Sequence, residues 1–185
     1  MKRILVGALV GAILMFAWQA ISHMFMDYHN AGLKQAPNSQ AIMATLSSNI
    51  TEEGQYFLPD LKPGATQAEE TEMNKQMEGK PWAFITYHKA WKTDMVTPMI
   101  RQFATMLLVL ALFIWVLGKN SGSYSTVLGK SLVTGFIIFL AAWYPQNIWW
   151  QTPWPVLQAE LIDLLVGWGL AGLWLGWWLN RRKVR

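Results

Sequence analysis

Long apolar runs separated by short polar stretches dominate the pattern of this chain. The first run extends from Ile4 to Ile21 and follows a basic pair, Lys2 and Arg3. At ~1.5 Å per residue, a helix of this length nearly crosses a ~30 Å hydrocarbon core. The stretch Ala17–Ala20 is a poor small-residue cleavage site, so we interpret residues 4–23 as an uncleaved membrane anchor and not as a signal peptide.

Three further runs have the length and composition of membrane spans. Residues 97–118 begin at a Thr-Pro pair, which suits a helix start, and end at Gly118, a common helix stop. Residues 127–144 precede Pro145, where we expect the third span to end. Residues 155–179 precede a basic tail, 180–185. The pattern predicts an all-α membrane protein of four transmembrane helices.

Residues 24–96 lie between the first two spans and are far more polar. Within them, residues 38–50 have the spacing of a short capped helix. Residues 55–58 and 82–88 are rich in aromatic and β-branched residues, which favours strands. Residues 60–80 are polar and predict a loop with a turn or two of exposed helix. We therefore expect a small α+β insert outside the cytoplasm.

Three motifs occur in order along this region: GQYFLP, then GKPWAFITYH, then MVTPMIRQF running into the second span. In this order they resemble a group of uncharacterised bacterial four-span proteins, over roughly residues 38–110. The resemblance implies the four-span topology and a bacterial origin. It implies no activity and no site residues.

The placement of basic residues predicts the orientation of the spans. One side of the predicted topology carries eight basic residues and no acid, and the other carries seven basic residues and nine acids. An excess of Lys and Arg marks cytoplasmic segments. We therefore expect both termini to be cytoplasmic and residues 24–96 to lie on the opposite side. With the bacterial origin that the resemblance implies, this predicts an inner-membrane protein with residues 24–96 periplasmic. The eight residues on the cytoplasmic side are Lys2, Arg3, Lys119, Lys130, Arg181, Arg182, Lys183 and Arg185.

Composition narrows the classes of function. The chain of 185 residues is 53% hydrophobic and has 12 Trp, which are enriched at membrane surfaces. It has no Cys, which excludes disulfides, thiolate metal sites and a cysteine nucleophile. The net charge of +4 follows from topology and not from a basic patch, so we do not expect nucleic-acid binding.

The stretch SHMFMDYHN, residues 22–30, raises the question of a metal site. His23 and His29 flank two methionines, and His88 follows the second predicted strand. Imidazole and thioether ligands, with Met26 among them, would suit copper. On a continuous helix His29 would lie about 120° from His23, so shared ligation requires the helix to unwind near Asp27. We favour ordinary interface residues over a metal site, and we predict no cofactor.

Ionisable residues inside a span are unusual and suggest a specific role. Glu160 and Asp163 lie about one turn apart near the start of the fourth span, and Arg101 enters the second span at a similar depth. We predict an ion pair between Arg101 and one of the two acids. A proton relay or a cation site is the alternative.

Aromatic and glycine residues suggest contact surfaces. The Trp residues of the loop between the third and fourth spans fit either an interfacial belt, which we favour, or a platform for a lipid, a quinone or a partner. Trp168 and Trp174 lie deeper in the fourth span, where we expect them to fill a helix–helix or subunit contact. Two Gly-x-x-x-Gly pairs allow close helix contact, either within the monomer or with another chain. The residues concerned are Trp149, Trp150, Trp154, Trp168, Trp174, Gly7, Gly11, Gly172 and Gly176.

No general base, nucleophile or phosphate-binding loop is visible, which favours a non-enzymatic protein. Our leading interpretation is an accessory or scaffold subunit that associates with membrane lipids and with other membrane protein chains, in a larger complex or as a homo-oligomer. One alternative is a lipid- or quinone-binding protein with an outer aromatic cleft. A second is a periplasmic copper-handling protein.

Overall fold

The computed structural model describes residues 2–118 and 121–181 and divides the chain into two compact units. The larger unit comprises the chain up to Lys34 and from Asp94 onward, and the smaller comprises Gln35–Thr93. Residues 24–34 thus belong to the helical unit, whereas the sequence pattern had placed them in the insert. In chain order the elements are α1 (Lys2–Phe25), α2 (Ser39–Asn49), β1 (Gly54–Leu58), α3 (Gln67–Met77), β2 (Ala83–Tyr87), α4 (Val96–Leu117), α5 (Tyr124–Ile138), α6 (Tyr144–Trp150) and α7 (Trp154–Asn180).

Four helical segments of the described chain are long and apolar enough to cross a membrane, as expected for a multi-pass membrane protein. They are Lys2–Phe25, Val96–Leu117, Tyr124–Trp150 and Trp154–Asn180. This confirms the four spans that the apolar runs predicted. Their outward side chains are apolar: on α4, Leu108, Leu112 and Trp115 are all more than half exposed. Such a surface suits lipid and not water.

Helix α1 lies antiparallel to both α4 and α7. Near its start, Gly7 approaches Ile114 and Trp178, whereas further along Phe16 meets Phe103 with ring centroids 5.7 Å apart. Helix α5 in turn packs antiparallel on α7, where Gly172 approaches Ser131. The order α4–α1–α7–α5 therefore places α1 and α7 in the middle. Helices α4 and α7 supply most of the buried core side chains, and α1 adds Ala8 and Ala12.

The third span does not end at Pro145. A π-helical segment, Phe139–Trp143, follows α5 and leads directly into α6, in whose first turn Pro145 lies. Pro has no N–H and its ring clashes with the carbonyl of the preceding turn of an α-helix. The π-helical turn is wider than an α-helical one and changes the backbone hydrogen bonds. The Tyr144 N–H donates to the carbonyl of Phe139, five residues earlier. The helix consequently continues to Trp150.

Helix α4 begins with a cap that the sequence pattern did not predict. Thr97 was the expected cap, but the Asp94 side chain accepts the backbone N–H groups of Val96 and Thr97 at 3.0 and 3.2 Å. Hydrogen bonds from the Thr97 side chain and backbone lower the pKa of Asp94. Gly118 ends the helix with φ 67°, a left-handed value that glycine adopts without steric cost.

The smaller unit contains a two-stranded antiparallel sheet and two helices. β1 and β2 pair with Tyr56 opposite Ile85, as the aromatic and β-branched runs predicted. α2 lies within the range 38–50 that the spacing predicted, but its N-cap residue, Asn38, makes no side-chain capping hydrogen bond. α3 is longer than the expected turn or two, because Thr66 and Glu69 form a reciprocal capping box at its start.

Candidate functional site at Asp163

The site begins where the first helix breaks. Helix α1 ends at Phe25, Met26 takes an extended conformation (φ −110°, ψ 126°), and a 3-10 segment follows over Asp27–Gly32. This segment lies against α7, and a Cβ on Gly32 would stand 2.3 Å from Cγ2 of Val156. The close approach therefore requires glycine, and it returns the chain toward the face of α1 that meets α7.

Asp163 of α7 is 2% exposed and is the hydrogen-bonding centre of this region. Oδ1 accepts three side chains and Oδ2 accepts two, so the carboxylate uses all of its acceptor positions. The donors to Oδ1 are Trp18 Nε1 (3.0 Å), Ser22 Oγ (2.6 Å) and Tyr28 OH (2.8 Å), and those to Oδ2 are Gln19 Nε2 (3.2 Å) and His29 Nε2 (3.1 Å).

The two histidines meet at this carboxylate. The rings of His23 and His29 stack with centroids 4.1 Å apart and planes 27° from parallel. His23 Nδ1 lies 3.8 Å from Asp163 Oδ2 and 3.1 Å from the carbonyl oxygen of Gln19. The unwinding that shared ligation requires is thus present in the structure. Met26 itself is the extended residue at the break.

Tyr28 contributes a phenol that is held as a neutral donor. Burial raises the pKa of Tyr28, and the nearby Asp163 carboxylate raises it further, whereas the hydrogen bond with Ser22 opposes the shift. The Tyr28 and Ser22 oxygens are 2.5 Å apart. A phenol with a raised pKa stays protonated at neutral pH and keeps donating to the carboxylate.

Arg101 is not the partner of Asp163. Among residues 2–118 and 121–181, the ion pairs within 4.0 Å join histidines to carboxylates, and Arg101 takes part in none of them. Asp163 is contacted instead by side chains of α1 and the 3-10 segment, the two histidines among them. Glu160 has no hydrogen-bond or ion-pair partner in the same described ranges. His88 belongs to the smaller unit, where its Nδ1 is 4.0 Å from Glu53 Oε2.

A cavity of about 660 Å³ opens beside this site, between α1, α4 and α7. Five methionines and other apolar side chains form most of its wall. The polar groups come from the helix turns near the end of α1 and the starts of α4 and α7. They are Gln19, His23, Gln102, Thr105, Glu160 and Asp163, and the methionines are Met15, Met24, Met95, Met99 and Met106.

The predicted tryptophans fall into two groups. Trp149 is 76% exposed at the end of α6, and Trp154 at the start of α7 is 46% exposed, as in an interfacial belt. Trp168 is 2% exposed and meets Phe113 edge-on at 5.0 Å, so it fills a contact within the chain. Trp174 donates its Nε1–H to the carbonyl of Gly7 at 2.9 Å. Trp150 lies at the last residue of α6.

Both glycine pairs pack within the monomer. A Cβ on Gly11 would lie 2.9 Å from Leu110 Cδ1, and one on Gly172 would lie 2.7 Å from Ser131 Cβ. Gly7 and Gly176 make similar close approaches, to Trp178 and to Tyr124. The sequence left open whether these glycines allow helix contact within the monomer or with another chain, and the structure shows contacts within the monomer.

The sequence pattern missed most of the polar network. Trp18 and Gln19 lie four and three residues before Ser22 and therefore share one face of α1 with it. Polar residues on one face of an apolar helix were the available signal. The break at Met26 has no glycine or proline to mark it, so nothing in the pattern separated Tyr28 from an ordinary interface residue.

Comparison of the chain with protein-family models, with curated proteins and with solved structures finds no match. No activity can therefore be transferred from a relative. The function must be argued from the side chains around Asp163 and the cavity beside them.

Proposed function

We propose that this protein is a non-enzymatic membrane protein that binds an amphipathic molecule, of the lipid or quinone class, between α1, α4 and α7. The observation that supports this is the cavity of about 660 Å³ with apolar walls and polar groups near one end. Small-molecule sites typically enclose ~300–1,000 Å³ with a few polar groups in an apolar lining.

The apolar part of the wall suits a flexible tail. Methionine is unbranched and polarizable, so a methionine-lined surface adapts to ligands of irregular shape. Met106 and Met15 lie deeper along their helices than Met95 and Met24, which stand near the helix ends. A tail would therefore extend inward from the polar end of the cavity.

The polar end needs partners that the described chain does not provide. Glu160 lines the cavity, is partly buried and has no partner among residues 2–118 and 121–181. Polar groups at membrane depth are unfavourable unless they are hydrogen-bonded or reach water. A ligand head group that donates a hydrogen bond to Glu160, or accepts one from His23, would satisfy this requirement.

A role as an accessory or scaffold subunit stays a prediction. The exposed apolar side chains of α4 and α5 suit contact with lipid as well as with a partner helix. The cavity is formed by side chains of this one chain, so it supports a more specific hypothesis than the exposed apolar surface does. We place the protein in a bacterial inner membrane with both termini cytoplasmic, on the strength of its basic residues.

The test is to identify what the purified protein carries. The full chain is extracted in mild detergent, and bound molecules are measured by native mass spectrometry and by solvent extraction. We expect one amphipathic molecule per chain, lost in Ala20→Trp, which fills the cavity from α1. The matched control is Ala104→Trp on α4, an exposed position outside the lining, which should retain it.

Two results would contradict the proposal. The first is a parent protein that carries no defined molecule after gentle extraction. The second is equal retention in all three proteins, which would place the bound lipid on the outer surface of the bundle.

A further inference from the structure

The convergence of His23, His29 and Asp163 points to a second binding property. We propose that these three side chains bind one divalent transition-metal ion. Their ligand atoms all lie within 4.8 Å of one another. His23 and Asp163 also line the cavity, but the inference rests on the positions of the carboxylate and the two imidazoles and not on what the cavity holds.

The distances around Asp163 Oδ2 are close to those of a shared ligand set. His29 Nε2 lies 3.1 Å from this oxygen and His23 Nδ1 lies 3.8 Å from it. For metal bonds of about 2.0–2.2 Å, tetrahedral ligand atoms stand roughly 3.3 Å apart. An ion would therefore need only a modest contraction of the cluster.

The hydrogen bonds on Asp163 divide its two oxygens by role. Trp18, Ser22 and Tyr28 donate to Oδ1 and hold the carboxylate in place. Oδ2 is the oxygen that both histidines face. Supporting hydrogen bonds of this kind orient metal-ligating carboxylates and are a regular part of metal sites. An ion would replace the proton that His29 shares with Oδ2.

One rearrangement is required. The two rings are nearly parallel, so their nitrogen lone pairs do not yet converge. His23 is 53% exposed and its ring makes one hydrogen bond, to the backbone carbonyl of Gln19 in its own helix. Rotation of this side chain displaces no other part of the network, whereas His29 is 16% exposed and already in position.

The donor set selects the class of metal. Two imidazole nitrogens and one carboxylate oxygen suit Zn²⁺, Cu²⁺, Ni²⁺ or Co²⁺, whereas Ca²⁺ and Mg²⁺ prefer oxygen ligands throughout. Glu160, one turn before Asp163 on α7, adds a second carboxylate to the cavity wall. Three protein ligands leave a coordination position that water or a small ligand could take.

The test uses Co²⁺ as a spectroscopic probe and Zn²⁺ as a competitor, added to the full chain in detergent after treatment with a chelator. We expect one Co²⁺ per chain, with visible bands that Zn²⁺ abolishes. His23→Gln should weaken binding by at least about tenfold. This variant should fold normally, because His23 is 53% exposed and makes no hydrogen bond to Asp163. His29→Gln should act in the same direction.

His88→Gln is the matched control, since His88 lies in the smaller unit and should leave Co²⁺ binding unchanged. Bound metal and bound amphipathic molecules are measured separately on the parent protein, so either proposal can fail while the other stands. Co²⁺ binding that is absent in the parent, or equally strong in His23→Gln, would overturn the proposed site.

Discussion

At the scale of single residues, Asp163 shows how a carboxylate is accommodated inside a predicted span without a Lys or Arg partner. A charged group in this environment is usually paired or reaches water. Here five side chains donate hydrogen bonds to it, and three of them converge on Oδ1. The arrangement replaces one strong ion pair with several hydrogen bonds to a charged acceptor, each of which is stronger than a neutral bond.

We expect Asp163→Ala to destabilise the protein strongly. The substitution leaves the partly buried donors Trp18 Nε1 and Gln19 Nε2 without the acceptor that Asp163 provides, at about 1–3 kcal/mol for each unsatisfied group. The free energy of unfolding, measured in detergent by tryptophan fluorescence, should fall by roughly 2–4 kcal/mol. Glu160→Ala, one turn away and without a partner in the described ranges, should change it by less than about 1 kcal/mol.

Arg101→Met is the second comparison for this prediction. If Arg101 paired with Asp163, its loss would leave a buried charge uncompensated and would approach the effect of Asp163→Ala. Because the structure gives Asp163 other partners, we expect a change of at most about 1 kcal/mol, as for an exposed charge. A loss through Arg101→Met as large as that through Asp163→Ala would contradict the network described here.

At the scale of elements, the 3-10 segment Asp27–Gly32 is the part that assembles the site. It carries Tyr28 and His29 back to α1 and α7, and without the break at Met26 neither side chain would reach Asp163. Local periodicity predicts where a helix can form, but it does not predict where packing against another helix ends it. Tertiary contact, including that of Gly32 with Val156, decides the outcome here.

We expect Gly32→Ala to disturb the site from a distance. The new Cβ would meet Val156 at 2.3 Å and its backbone at 3.2 Å, so the segment must shift. Overpacking of this kind typically destabilises by about 1–3 kcal/mol. The unfolding free energy should fall by that amount, and the Co²⁺ affinity should fall with it.

Gly129→Ala is the control for this prediction, because a Cβ on Gly129 meets nothing within 4 Å. It lies inside α5, where replacing glycine by alanine stabilises a helix by up to about 1 kcal/mol. Equal stability of Gly32→Ala and the parent would show that the segment does not lie against α7 as described.

The elements also show which features the sequence determines. The spans were predictable because about twenty consecutive apolar residues have few alternatives to a membrane helix. The end of the third span was not, because Pro145 stops an α-helix only when no wider turn accommodates it, and the segment Phe139–Trp143 does so. The capping box of α3 was present in the sequence as Thr66 and Glu69 and could have been found.

At the scale of the whole molecule, the order α4–α1–α7–α5 explains why the site could not be derived from spacing. Trp18 and Asp163 are 145 residues apart, and they meet only because α1 and α7 are antiparallel neighbours. Arg101 and Asp163 were assigned similar depths from their distances to the span ends. Depth alone does not specify which helices are neighbours. The sequence therefore could not identify the side chains that contact Asp163.

The final prediction concerns orientation. Reporter fusions after Gly64 and after Gly122 should read outside and inside the cytoplasm respectively. The physical reason is the asymmetry of charge: one side of the four spans has eight basic residues and no acid, whereas the other has seven basic residues and nine acids. Basic residues in short segments are retained in the cytoplasm during insertion. Under this orientation the end of α1 and the starts of α4 and α7, and hence the Asp163 site, lie in the outer half of the membrane.

Replacing Lys2 and Arg3 by Gln should weaken the preference for this orientation, because charges near the first span usually dominate. The reverse pattern in the parent would place the site in the cytoplasmic half and refute the assigned topology, whereas the same location for both fusions would refute the number of spans between them.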